Sequence, residues 1–335
     1  MNKPTDAKAL SPADFASDQE VRWCPGCGDY SILKAVRKTL ADVGSLRENT
    51  VVVSGIGCAA RFPYYVDCYG FHTIHGRAPA IATGVLLANP DLDVWIATGD
   101  GDALSIGGNH LMHILRRNVN CNIILFNNAI YGLTKGQYSP TSHAGTKTPS
   151  SPMGSLDTPV NAARYALGCG ARFVARAVDI QQAQLAEVLK TAHGHKGTSF
   201  VEVFQNCFVF NDHVFEDFTG KENAPTNQIQ LQNGEPMLFG KDMEKGLKFD
   251  TGSFEITVCD ANDPDVLVHD TANHNLATLL TEMAPDCPIA TGVLYDAPAP
   301  VYERTVYEQI ETAKATKKTG RSLQDVMNQG FTWTV

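Results

Sequence analysis

Long apolar runs are missing from this 335-residue chain. The longest, such as AIATGVLLA at 80–88, fall far short of the roughly 20 residues a membrane-spanning helix needs, so no segment is expected to cross a bilayer. Basic tracts interleaved with aromatics are missing too. With a net charge of −9 and no block of like charge, nucleic acid is not an expected partner. The opening stretch MNKPTDAKALSPADFASDQE lacks the apolar core of a secretory signal and the Arg-rich, acid-poor character of a transit peptide, so the cytoplasm is the expected location. An even, regularly spaced cysteine set is also absent. Nine cysteines at irregular spacing argue against a secreted disulfide framework and for thiols kept reduced.

What is present suits a globular α/β protein with one large core or two modest ones, at 43% hydrophobic residues. Between 30 and 205, short β-branched runs alternate with amphipathic stretches of helical length, the pattern of strand-helix-strand units in a mainly parallel sheet with helices on both faces. Strands are expected at 50–55, 93–99, 121–127, 171–178 and 198–204, with helices beginning near Ser31, Arg77, Ala103, Val160 and Ile180. The stretch 131–158, rich in Gly, Pro, Ser and Thr, reads as a long functional loop. After Asp217 the composition changes. QIQLQNGEPMLFG (228–240) reads as a hairpin around Asn233-Gly234, EITVCD and DVLVHD as short strands, and 301–318 as a late helix. The division expected is an arm at 1–18, a main domain at 19–217 and an appended C-terminal extension at 218–335.

Two features carry chemistry. The first is WCPGCGDY at 23–30, with Cys24 and Cys27 three apart in a Pro-Gly turn. Taken alone, that spacing suits a structural zinc, a redox disulfide or an iron-sulfur cluster, and zinc comes first. The second is Gly99-Asp100-Gly101 at the end of a predicted strand, with Asn127-Asn128 closing the next strand. Glycines let the backbone approach an anion, while Asp100 and Asn128 offer hard oxygens to a divalent cation. Gly-Asp-Gly alone is equally a tight turn in which Asp102 caps the following helix. Joined to the double Asn, it resembles the thiamine diphosphate motif. That resemblance implies magnesium held by Asp100, Asn128 and the carbonyl of Ile130, with Gly57, Cys58, His75, Gly99, Gly101, Asp102, Tyr131, Gly132, Leu133 and Thr134 around the cofactor.

Taken in order, VRWCPGCGDY, VVSGIGCAARFPYY, HTIHGRAPAIATG, GDGDALSIGGNHLMHILRRNVN, NNAIYGLTKGQYSPT and QNCFVFND resemble the β subunit of the 2-oxoacid:ferredoxin oxidoreductases, most closely the 2-oxoglutarate type. The likeness runs over about 19–215, and the last third matches only through pieces such as EPMLFGKD. It implies a thiamine diphosphate-binding fold and one [4Fe-4S] cluster on Cys24, Cys27, Cys58 and Cys207. Cys68, Cys121, Cys169, Cys259 and Cys287 are assigned no role.

The implied reaction is oxidative decarboxylation of 2-oxoglutarate with coenzyme A to succinyl-CoA, carbon dioxide and reduced ferredoxin, in either direction. Thiamine diphosphate acts as an electron sink, and the cluster takes electrons one at a time. A single sheet leaves no pyrimidine-binding half, so an α subunit is expected to supply the activating glutamate and much of the 2-oxoacid and coenzyme A site, in an (αβ)₂ assembly.

Arg61 stands where archaeal relatives carry a Lys thought to meet the distal carboxylate, and it reads equally as a surface Arg. Leu133 stands where pyruvate enzymes have an Asn, and His75 reads as a cofactor contact or a structural turn residue. Arg22, Lys34, Arg37, Lys38 and Arg61 are expected to border the electron exit toward an acidic ferredoxin. The alternatives are a pyruvate or other 2-oxoacid enzyme of the same family, a non-oxidative thiamine-dependent decarboxylase and a zinc-stabilised non-enzymatic module.

Overall fold

A computed structural model describes residues 10–316, 322–331 and 333. Among the described residues eleven strands form two sheets: β1 (Thr50–Ser54), β2 (Tyr69–His72), β3 (Asp93–Gly99), β4 (Cys121–Asn127), β5 (Phe173–Val178), β6 (Ser199–Phe204), β7 (Gln228–Leu231), β8 (Leu238–Phe239), β9 (Lys245–Asp250), β10 (Glu255–Asp260) and β11 (Ile289–Asp296). The large sheet runs β2-β1-β3-β4-β6-β5-β11-β7, and the small one β10-β9-β8. In the large sheet every pair is parallel except β11 with β5.

Strand alternation explains the two faces. Val51, Val53, Val94, Ile96, Ile123 and Leu125 point into one core with the helices Ala78–Ala88, Gly108–Arg117, Ala162–Gly168 and His274–Thr281. Their neighbours Val52, Trp95, Ala97, Ile124 and Phe126 point the other way, against the helices Asp29–Asp42 and Gln182–Gly194. Both faces of the central strands are therefore covered, which is why those strands read as continuous apolar runs rather than as alternation with polar residues. No helix among the described residues is long and apolar enough to cross a membrane.

Three expectations need correction. The helix read from Ala103 is two helices, Asp100–Leu104 and Gly108–Arg117. The break sits where Gly107 packs on the Gly76 turn, so closely that a Cβ on Gly76 would lie 2.5 Å from the Gly107 nitrogen. Asn233-Gly234 does turn the chain, with Gly234 at φ 82, but it makes no hairpin: β7 joins β11 in the large sheet and β8 joins β9 in the small one. DVLVHD forms only an isolated bridge from Val268 to Pro236, not a strand. The late helix spans Tyr302–Thr316; Lys317 and Lys318, like residues 1–9 of the N-terminal arm, lie outside the described residues. The chain after residue 217 thus gives two strands to the large sheet and builds the small one.

Candidate functional site

The parallel strands end at one edge, and the chemistry-bearing residues follow directly: Cys58 after β1, Asp100 after β3, Asn128 after β4 and Cys207 after β6. The Cys24–Cys27 turn meets the same edge, since the Gly28 amide donates to the Asn206 carbonyl (3.1 Å). Gly28 is required there, because a Cβ would lie 1.9 Å from Asp179 Oδ2.

A cleft of about 130 Å³ opens between these loops, and every residue expected around the cofactor lines it, from Gly57 and Cys58 through His75 and Gly99–Asp102 to Asn128 and Ile130–Thr134. Arg61 stands outside it. With Arg22, Tyr64 and His72 it lines an adjoining cavity of about 430 Å³ that shares Ile56, Gly57 and Leu133 with the cleft.

The two aspartates of the loop do different work. Asp102 caps no helix. Its Oδ1 accepts from the amides of Ile56 (3.0 Å) and Gly76 (2.7 Å) and from His75 Nδ1 (2.5 Å), and its Oδ2 accepts from Thr98 Oγ1 (2.7 Å). Asp102 therefore staples the β1 turn, the His75 turn and β3 together. With Nδ1 held against Asp102, the orientation of the His75 ring is fixed. Asp100 is buried, and the hydroxyls of Ser139 (2.5 Å) and Thr141 (2.6 Å) converge on its Oδ2. Burial pushes its carboxyl up to about 6, opposed by hydroxyl and backbone hydrogen bonds. A carboxylate desolvated in this way is suited to a bound cation.

Asn128 begins a sharp turn. Ala129 sits in the left-handed region at φ 52, a conformation that costs about 1–2 kcal/mol outside glycine. The turn is held by Asn127 Oδ1, which accepts from the Ala129 amide (3.2 Å), and by Ser142 Oγ and Asn211 Nδ2, which donate to the Ala129 carbonyl. Gly101 must be glycine, since a Cβ would enter the Tyr131 ring at 2.1 Å.

The four thiols gather beside this cleft. A Cβ built on Gly132 would lie 3.6 Å from both Cys58 Sγ and Cys207 Sγ, so one point sees both sulfurs. Gln205 Nε2 donates to Cys27 Sγ (3.5 Å), while Cys24 is exposed on the same turn. Burial pushes Cys58 up to about 12 and raises Cys27 and Cys207; the charge of Asp29 raises all three, Cys58 and Cys207 raise Cys27 further, and Cys207 and Cys24 raise Cys58. Bare thiolates are therefore disfavoured, and a bound metal that deprotonates them would relieve that cost. Among the described residues no three His, Cys, Asp or Glu side chains converge closely enough for a single ion.

Sequence reasoning missed several residues here. Asp29 is buried beside Cys27 and lines the cleft, its Oδ2 without a partner, and burial followed by the charge of Asp179 raises it to about 7. Ser139, Thr141 and Ser142 come from the long loop, whose run of hydroxyl residues was the available signal. The cationic border is thinner than its sequence clustering suggests. Arg22 pairs with Glu20 (2.9 Å) and Lys38 with Asp42 (2.5 Å), and the Arg37 guanidinium donates to the Tyr65 carbonyl, which leaves Lys34 exposed.

The model of the thiamine pyrophosphate enzyme C-terminal TPP-binding domain matches residues 54–203. Over 339 aligned residues the chain is 48% identical to the 2-oxoglutarate oxidoreductase subunit KorB of Mycobacterium tuberculosis, covering 99% of this chain and 90% of that one. It is 40% identical over 220 residues to the 2-oxoglutarate synthase subunit KorB of Archaeoglobus fulgidus, 62% of this chain and 80% of that one. Among solved structures it is similar to the 2-oxoglutarate:ferredoxin oxidoreductase from Magnetococcus marinus, solved with 2-oxoglutarate, coenzyme A and succinyl-CoA bound. The TM-score is 0.78 at 33% identity, covering 96% of this chain and 97% of that one.

Proposed function

The chain belongs to the β subunits of the 2-oxoacid:ferredoxin oxidoreductases, and on that premise we propose that it binds the diphosphate side of thiamine diphosphate in an enzyme oxidising 2-oxoglutarate. With coenzyme A and oxidised ferredoxin the products are succinyl-CoA, carbon dioxide and reduced ferredoxin. One observation carries the reading: a Cβ on Gly132 would lie 3.6 Å from the sulfurs of both Cys58 and Cys207, and Gly132 lines the same cleft as Asp100 and Asn128, which supports electron source and electron acceptor as neighbours.

Bound thiamine diphosphate supplies the electron sink for decarboxylation. Asp100, Asn128 and the Ile130 carbonyl would hold the magnesium of its diphosphate, and the raised Asp100 carboxyl suits a cation. Cys24, Cys27, Cys58 and Cys207 would hold a [4Fe-4S] cluster. A zinc ion at 2.3 Å would draw four sulfurs to about 3.8 Å from one another. His75, oriented by Asp102, faces the cofactor, and the glycines at 99 and 101 let the backbone approach the diphosphate. Leu133 lines both cavities and sets the pocket shape between them.

Arg61 receives the distal carboxylate of 2-oxoglutarate in the adjoining cavity, where a guanidinium can bind bidentately. An α subunit completes the site with the pyrimidine-side glutamate, in an (αβ)₂ assembly that passes electrons to ferredoxin in the cytoplasm. The test is co-expression with the α subunit, anaerobic iron and sulfide analysis, and coenzyme A-dependent ferredoxin reduction across several 2-oxoacids. Arg61→Gln should raise KM for 2-oxoglutarate roughly tenfold, the size of one lost charged hydrogen bond, and leave pyruvate turnover unchanged. Equal rates with pyruvate and 2-oxoglutarate in the parent enzyme would refute the substrate assignment.

A further inference from the structure

Behind the cleft a line of buried polar groups runs from Asp100 across the sheet and into the C-terminal part of the chain. Thr141 Oγ1 lies 2.6 Å from Asp100 Oδ2 and 2.9 Å from Asn127 Oδ1, both acceptors, so its single proton is shared between them as a three-centre bond that couples the two side chains. Asn127 Nδ2 donates to Glu202 Oε1 (2.8 Å), and Arg176 Nε donates to Glu202 Oε2 (2.8 Å). Arg176 Nη2 then donates to Asn161 Oδ1 (2.9 Å), and Asn161 Nδ2 donates to the Thr281 carbonyl (2.5 Å). Arg176 and Glu202 stand directly opposite on β5 and β6, each more than nine-tenths buried.

A buried ion pair gains little stability over well-packed apolar residues, because desolvating both charges offsets their attraction. What this pair does is fix direction. With one Glu202 oxygen held by Arg176 and the other facing Asn127, the Asn127 amide must present Nδ2 to Glu202 and Oδ1 to the loop. Oδ1 is the atom that accepts from the Ala129 amide, holding the left-handed turn from which Asn128 and Ile130 reach the cleft. It is also the atom beside Thr141, whose hydroxyl holds Asp100.

We propose that Arg176 and Glu202 are a positioning pair for the cation site, fixing Asp100 and Asn128 through Asn127 and Thr141 without touching the ligand. This rests on the reading that Asp100 and Asn128 hold the magnesium of thiamine diphosphate.

The test uses the intact complex with the α subunit and follows thiamine diphosphate binding against magnesium concentration, by calorimetry or tryptophan quenching. Thr141→Val should raise half-saturating magnesium roughly tenfold, about one hydrogen bond to a charged group, and Thr141→Ser should restore it. Glu202→Gln should raise it by a similar factor. Iron content should stay unchanged in all three, since no cysteine is disturbed. Half-saturation within twofold of the parent in Thr141→Val overturns the proposal, and so does the same result in a folded Glu202→Gln. If Glu202→Gln fails to fold, the Thr141 pair of variants decides alone. Asp100→Asn separates the two levels. A loss of magnesium-dependent binding beyond a hundredfold keeps the site reading whatever the Thr141 result, and unchanged binding sinks the site reading itself.

Discussion

The two edges of the parallel sheet are both polar and both buried, and they differ in what they leave unspent. Where the strands begin, most polar groups satisfy one another, although Thr39 Oγ1 and His195 Nε2 are buried without a partner. Asn118 Oδ1 accepts from the Thr198 amide (3.0 Å) while its Nδ2 donates to the carbonyls of Ala299 and Pro300. Asn122 Oδ1 accepts from Ser199 Oγ (2.8 Å), and Asp93 Oδ2 accepts from Ser45 Oγ (2.7 Å) and lies 3.2 Å from His193 Nε2. Where the strands end, Asp29 keeps an oxygen without a partner, Asp100 is desolvated toward about 6, and the thiols of Cys27, Cys58 and Cys207 are raised by burial. Buried polar groups that close on themselves hold a fold, and buried groups with capacity to spare mark a place for something else.

That contrast can be broken by substitution at either edge. The largest effect is expected from Cys207→Ala, which should abolish the cluster, read as iron and acid-labile sulfide, while thiamine diphosphate binding and the thermal transition persist. Full cluster retention would show that Cys207 is not a ligand. At the opposite edge Asn118→Ala should do the reverse. It removes three hydrogen-bond partners and puts alanine at φ 55, so unfolding free energy should fall by about 2–4 kcal/mol in denaturant titration. The molecules that remain folded should bind cofactor normally; a stable Asn118 variant that had lost cofactor binding would mean that the edges are not independent.

The smallest effect concerns the rim. Lys34→Glu should slow ferredoxin reduction a few-fold at low salt, less at high salt, and leave an artificial acceptor unaffected. Arg37, tied to the Tyr65 carbonyl, is a poor probe because reversing it disturbs packing as well as charge.

Legibility followed the same division. Strands β1, β3, β4, β5 and β6 were readable to within two residues because each is a β-branched or aromatic run buried on both faces. Strand β2, YGFH, went unseen because all four of its residues are exposed and none is β-branched. The tail misled because Asn233-Gly234 is a turn signal that says nothing about which sheet its flanking strands will join. Asp102 was legible as important and not legible as a staple, since its partners lie at Ile56, His75 and Gly76.

By itself the sequence determined the alternation of strands and helices, the loops at their ends and the residue types those loops carry, because hydrophobic period and turn chemistry are local properties of the chain. Only the tertiary structure decided which groups are held and which remain available. Ser139 and Thr141 reach Asp100 across about forty residues, and Glu202 reaches Asn127 across 75. Such contacts exist only once the sheet has closed, and no local pattern encodes them.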